Sequence, residues 1–304
     1  MVLDPNTGIY SEKAIVVDPT GDTSSRGANL RVPGPCQISG VNTAYLRPQI
    51  TDQVSREIAF SQFDHIRCVT QQKETGYLVI GGDAPGNTAP VIIRFEAIEE
   101  GATSAGTILM SAAGVTDLHS ISFDADGNLL VCARRSGSTP SDALLRFDGF
   151  SETVTGMISL DPDASGLYRF RGVATNPRNG AIWASVDRSG VDKVVSIDAA
   201  FTTATIEGDG PFVGGSDQPR GMAYDSFSDR WIVGNYQTLA TGIHSLSFHS
   251  QTPDVYDSSQ TLTLGDYVYG TPDIQMYDFD FIDGMIVVAM DHQLRIFRSD
   301  LTLG

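Results

Sequence analysis

Three observations predict an all-β chain folded as a ring of repeated blades. A turn bearing Gly or Asp recurs at Gly76, Gly127, Gly180, Asp229 and Gly284, a period of about 50 residues. Each turn is flanked by short apolar runs, too short for helices and rich in β-branched and aromatic residues. The 304 residues include 31 Gly and 14 Pro, which suits many tight turns and argues against long helices. A strand-only repeat of this length is the signature of a β-propeller blade.

Aligned on the turns, the elements fall into columns. First strands are expected at 67–70, 119–122, 171–174 and 220–223, with a slightly shifted copy at 277–280. Second strands follow at 77–80, 129–133, 182–184, 231–233 and 285–289. Their unbroken apolar character is that of strands covered on both faces, as a blade between two neighbours must be. Third strands are expected at 91–95, 143–147, 194–198, 243–248 and 294–297, four of them ending on Phe. Outer strands are weaker, at 107–110, 154–160, 203–206 and 261–264.

The fifth copy has no outer strand of its own, and an open edge invites aggregation. Residues 56–60 read as an outer strand without a blade, so they are expected to close the ring by completing the last one. This counts five blades over residues 51–304 and leaves 1–50 as an arm. The competing count makes residues 10–60 a degenerate sixth blade, with strands at 14–17 and 43–46.

An apolar fraction of 41% is enough for a core divided between blades, and no run approaches the roughly 18 consecutive apolar residues of a membrane span. The first residues lack the basic and apolar parts of a signal peptide, so a cytoplasmic or virion location is expected. Acidic residues outnumber basic ones 37 to 20, and Lys13, Lys73 and Lys193 are the only lysines. A net charge of −17 disfavours nucleic acid and anionic membranes, because the phosphate term is repulsive. An Asp-rich, Lys-poor surface also fits saline surroundings, where salt screens self-repulsion, and so a marine source. Cys36, Cys68 and Cys132 are odd in number, widely spaced and without a CxxC pair, so neither a disulfide framework nor a thiolate zinc site is expected.

Candidate chemistry begins in the first column: Arg67, His119, Arg171, Arg220 and Tyr277. The first strand of each blade lies innermost, so these positions form a ring about the channel. There they could hold a carboxylate, a phosphate or a glycan. The alternative is that each arginine pairs with an acidic neighbour such as Asp64, Asp117 or Asp217 and ties blades together. The next column, Cys68, Ser120, Gly172, Gly221 and Asp278, is small enough for close approach of inner strands. Asp124, Asp126 and Asn128 resemble the start of a calcium loop. Arg135 stands where such a loop needs its final glutamate, and the segment reads as a turn. No HExxH pair, GxSxG elbow or phosphate loop is present. Tyr256, Tyr267 and Tyr269 lie in a long segment, 252–270, that could contact a protein or sugar.

The blade texts, above all 118–131 with its Asp124-Ala125-Asp126-Gly127-Asn128-Leu129 turn, resemble the NHL and gluconolactonase type of propeller repeat, as do Arg171-Gly172-Val173-Ala174 and Arg220-Gly221-Met222-Ala223. The resemblance covers about residues 64–298. Its lactonase members imply a divalent metal in the channel held by a glutamate, an asparagine and an aspartate, and Asn235 is the position here that matches. No glutamate begins an inner strand, and the matching column is basic.

The residues themselves predict no cofactor. They point first to a non-enzymatic structural or interaction module, placed in a larger assembly such as a bacteriophage particle through its arm and one rim. The alternatives are a metal-dependent hydrolase of the lactonase kind and a small-anion or sugar-binding propeller.

Overall fold

The computed structural model describes residues 2–3, 10–11, 46–86, 89–136, 141–160, 168–187, 192–212, 217–226, 228–237, 243–249, 252–255, 261–263, 276–290 and 292–303. The chain divides into two compact units, Met1–Gln49 with Asp300–Gly304, and Ile50–Ser299. In the first, β1 (Val2–Leu3) pairs antiparallel with β2 (Tyr10–Ser11).

The second unit is the five-bladed propeller. Its closing strand β3 (Leu46–Ala59) comes first in the chain. Blade one is β4 (His65–Gln72), β5 (Tyr77–Asp83), β6 (Val91–Phe95) and β7 (Ser104–Leu109). Blade two is β8 (Val115–Phe123), β9 (Leu129–Arg135), β10 (Asp142–Phe147) and β11 (Val154–Ile158). Blade three is β12 (Arg169–Thr175), β13 (Ile182–Asp187), β14 (Lys193–Ile197) and β15 (Ala204–Gly208). Blade four is β16 (Asp217–Asp225), β17 (Arg230–Gln237), β18 (Ile243–His249) and β19 (Thr261–Thr263). Blade five is β20 (Met276–Ile282), β21 (Met285–Met290) and β22 (Gln293–Leu303), completed by β3. The closure expected of residues 56–60 is therefore present, on a longer strand. Residues 10–60 make no sixth blade among the described residues, because β3 is already committed to the fifth.

The five turn residues that define the repeat all adopt left-handed backbone: φ is +76° at Gly76, +81° at Gly127, +73° at Gly180, +56° at Asp229 and +82° at Gly284. That conformation suits glycine and is tolerated by aspartate, which is why these two residue types mark the period.

The core is split into five, one cluster between each pair of neighbouring blades. The second strands show why their apolar runs are unbroken. Leu129 and Val131 face blade one, while Leu130 and Cys132 face blade three. Cys68 and Cys132 are free, buried thiols that serve as small core residues. Where the ring closes, Ile58 and Phe60 of the N-terminal segment are buried among Leu78, Phe95 and Ile296, with the Phe60 and Phe95 rings 4.8 Å apart. Polar bonds add to the closure: Asp280 Oδ2 accepts from Thr70 Oγ1 at 2.8 Å and from the Gln71 N–H at 3.2 Å.

The Asp124 segment is a turn. Asp124 Oδ1 accepts from the N–H groups of Asp126 and Asn128, and Oδ2 pairs with Arg146 Nη2 at 2.8 Å. A cation from the chain itself thus occupies the carboxylate that calcium would need. Among the described residues no helix is long and apolar enough to cross a membrane.

Candidate functional site

Each blade carries the same irregularity at the same place. Pairing of the first with the second strand runs Ile66 to Gly82 and then Cys68 to Gly81, leaving Arg67 without an opposite residue. Leu118 and Ser120 likewise flank an unmatched His119, Phe170 and Gly172 an unmatched Arg171, and Met276 and Asp278 an unmatched Tyr277. In the fourth blade Pro219 pairs with Asn235 and Met222 with Val233, so Arg220 and Gly221 together oppose Gly234. A β-bulge re-aims the side chain of its extra residue. Five bulges in register deliver five side chains to one end of the channel.

The structure accordingly brings all five predicted ring residues together. Arg67, His119, Arg171, Arg220 and Tyr277 line one pocket of about 60 Å³ with Asp117, Leu118 and Pro219. That is room for a small oxyanion or a few waters. Crowding makes the bulge possible. A Cβ on Gly234 would lie 2.1 Å from the Arg220 carbonyl oxygen, and one on Gly82 the same distance from that of His65. In blades one and four, glycine on the second strand leaves room for the bulged backbone, whereas the other three blades carry Ala133, Val186 and Met290 there.

The arginines differ in how they are held. Arg67 donates from Nε and Nη2 to Asp83 Oδ2 at 3.2 and 3.1 Å and stacks on Tyr277, 4.6 Å from its centroid. Arg171 donates to Asp187 Oδ2 from Nε at 3.3 Å and Nη2 at 3.1 Å, and its Nη1 reaches His119 Nδ1 at 3.2 Å. For these two arginines Asp83 and Asp187 take the place of the expected acidic neighbours such as Asp64 and Asp117, while the Asp217 side chain lies outside the described residues. Asp83 and Asp187 end the second strand of the same blade, so the pairs brace each arginine within its blade. Both stand sixteen residues after their arginine, a spacing visible in the sequence.

At the equivalent position the fourth blade has Tyr236. Arg220 lies 5.5 Å from that ring and donates from Nη2 to the neutral Gln218 Oε1 at 2.9 Å. Its Nε is buried without a hydrogen-bond partner. Burial, with Arg171 nearby, pulls the Arg220 pKa down to about 10, so it stays charged at neutral pH, at a cost. Arg220 is the ring cation with no carboxylate bonded to it among the described residues.

His119 lines the same pocket, with its side chain 9% exposed. Its pKa is lowered by burial, with the Arg171 charge adding to the effect and Asp142 opposing it. Nε2 faces Asp142 Oδ1 at 3.9 Å, and neither atom has a hydrogen-bond partner.

One residue further along each strand the channel is closed. Cys68, Ser120 and Asp278 are fully buried, and a Cβ added to Gly172 would lie only 2.5 Å from the Gly221 carbonyl carbon. Asp278 reaches across to blade two, where Oδ2 accepts from the Ile121 N–H at 3.3 Å. Burial raises its pKa well above the carboxylate range.

The metal of the lactonase resemblance does not fit these residues. Asn235 is present, with a buried Oδ1 lacking a partner. The ring beside it, however, offers guanidinium groups to a cation, and no group of three His, Cys, Asp or Glu side chains able to hold a metal occurs among the described residues. The rim tyrosines Tyr256, Tyr267 and Tyr269 lie outside the described residues.

No protein-family model matches the sequence. No curated protein matches it either. Solved structures do. An exo-β-1,3-galactanase from Phanerochaete chrysosporium, in complex with β-1,3-galactotriose, aligns with 80% of this chain and 64% of its own at 9% identity and a TM-score of 0.54. A gluconolactonase from Xanthomonas campestris aligns over 83% and 94% of the two chains at 13% identity and a TM-score of 0.49. A chain of a nidogen/laminin complex aligns over 73% and 71% at 14% identity and a TM-score of 0.45. Likeness at this identity is likeness of fold, and that fold is the β-propeller.

Proposed function

We propose that the chain is a non-enzymatic propeller whose bulge-borne ring binds a small oxyanion, a carboxylate first among them. The observation that carries this is Arg220, a pocket-lining cation whose Nε has no hydrogen-bond partner and to which no carboxylate is bonded among the described residues. A buried donor left unpaired costs about 1–3 kcal/mol, more when charged, and an incoming oxyanion would repay it. Arg67 and Arg171, braced by Asp83 and Asp187, supply rigid donors on the other sides, as a preorganised anion site requires. The ring offers no nucleophile with an adjacent free base, and its cations disfavour a catalytic metal. The rim tyrosines lie outside the described residues and the arm is described only at residues 2–3, 10–11 and 46–50, so the ring carries the proposal.

Thermal unfolding with acetate, nitrate, sulfate and phosphate, each against chloride at matched ionic strength, tests it. At one hundred times its dissociation constant a ligand adds about 2.7 kcal/mol. The reading expects at least one anion to raise Tm in the native chain and to lose that effect in Arg220→Gln. An equal shift in both proteins, or none with any anion, overturns it.

A further inference from the structure

We propose that the ring takes up a proton together with its anion, and that His119 is the group that receives it. This rests on the reading of the ring as an oxyanion site. Arginine can only donate hydrogen bonds, so the 3.2 Å contact from Arg171 Nη1 requires His119 Nδ1 to be the acceptor. His119 is therefore neutral in this arrangement, with its hydrogen on Nε2. That hydrogen faces Asp142 Oδ1 across 3.9 Å, a gap too long for a hydrogen bond and with neither atom otherwise partnered.

An oxyanion entering between Arg171 and His119 is an acceptor facing an acceptor. Oxyanion and Nδ1 repel unless Nδ1 gains a hydrogen, after which Arg171 and His119 both donate to the ligand. The added charge is met by the anion on one side and by Asp142 on the other, whose Oδ1 already stands 3.9 Å from Nε2. The atoms needed to receive the proton are thus in place before the ligand arrives.

The charged and titratable groups around His119 fall on every neighbouring element. Arg171 on β12 opposes protonation, with Asp187 behind it. Asp142 on β10 and Asp117 on β8 favour it, and Arg134 on β9 lies beside Asp142. Across the pocket stand Arg67 on β4, Arg220 on β16 and Tyr277 on β20. Burial and the nearest cation, Arg171, hold the proton off. An anion neutralises the first of these and reverses the balance.

Calorimetric titration with nitrate and with sulfate tests this, since neither anion changes charge between about pH 8 and pH 5. Repeating each titration in two buffers of different ionisation enthalpy counts the protons taken up. We expect affinity to rise as pH falls, by up to about tenfold per unit, with uptake approaching one proton per anion. His119→Asn keeps an acceptor near Nδ1 but cannot be protonated there, and should lose both the pH slope and the uptake. Should that variant fail to fold, NMR titration of His119 in the native chain gives the same answer, as its pKa must rise when sulfate is added.

Binding without a pH slope or uptake overturns this inference and leaves the oxyanion reading standing. A slope that survives in His119→Asn, or a His119 pKa unmoved by sulfate, assigns the proton elsewhere and also overturns it. No binding of any anion at any pH overturns the oxyanion reading, and this inference with it.

Discussion

Arg171 of blade three donates from Nη1 to Nδ1 of His119 in blade two, 3.2 Å away, and the direction of that bond sets the tautomer of the histidine. Nitrogen chemical shifts should show the hydrogen on Nε2 at neutral pH. The folded pKa lies below the ordinary 6.5. A group whose neutral form is favoured in the fold gives its full stability above the unfolded pKa and loses it as pH falls towards the folded one. Native stability should therefore decline on acidification below about pH 6.5, and His119→Asn should flatten that decline. A hydrogen found on Nδ1 would contradict the bond direction.

Asp278 titrates with the opposite sign. Burial lifts its folded pKa above the usual 3.8, so its stabilising share is complete below that value and is lost as pH rises through the folded pKa. Asp278→Asn keeps the acceptor for the Ile121 N–H and removes the ionisation. Urea unfolding from about pH 4 to pH 8 should show the variant gaining on the native chain as pH rises. A constant difference would mean that Asp278 does not titrate in that range.

Two glycine-to-alanine changes separate backbone strain from crowding. At Gly127 φ is +81° and an added Cβ meets nothing within 4 Å, so Gly127→Ala should cost about 1–2 kcal/mol through the left-handed backbone alone. At Gly172 the Cβ would sit 2.5 Å from the Gly221 carbonyl carbon and 2.8 Å from the Met222 nitrogen. Neighbouring inner strands would have to separate, so Gly172→Ala should cost about 3 kcal/mol or more. Chemical denaturation checks both, and equal costs would remove the distinction.

The blades were legible because each rests on local rules: a left-handed turn residue, a strand apolar on both faces, an aromatic at the end of the third strand. The closing strand was legible too, since the fifth copy lacks an outer strand and residues 56–60 had no blade. Column alignment also assembled the ring, because equivalent positions on inner strands must meet around one channel. The bulges were not legible. A slip in pairing depends on what the second strand allows, and only Gly82 and Gly234 hinted at it. The braces at Asp83 and Asp187 escaped for a related reason: they sit at the far end of the adjacent strand, and proximity in sequence drew attention to Asp64, Asp117 and Asp217 instead.

The central claim is that five bulged residues form an oxyanion site at the channel mouth. The most direct measurement is an anomalous difference map from crystals soaked in selenate, at a concentration chosen from a solution dissociation constant. A selenium peak in the pocket, placed so that selenate oxygens accept hydrogen bonds from Arg220 and Arg171, is the predicted result. A map with selenium on surface arginines and none in the pocket would contradict it.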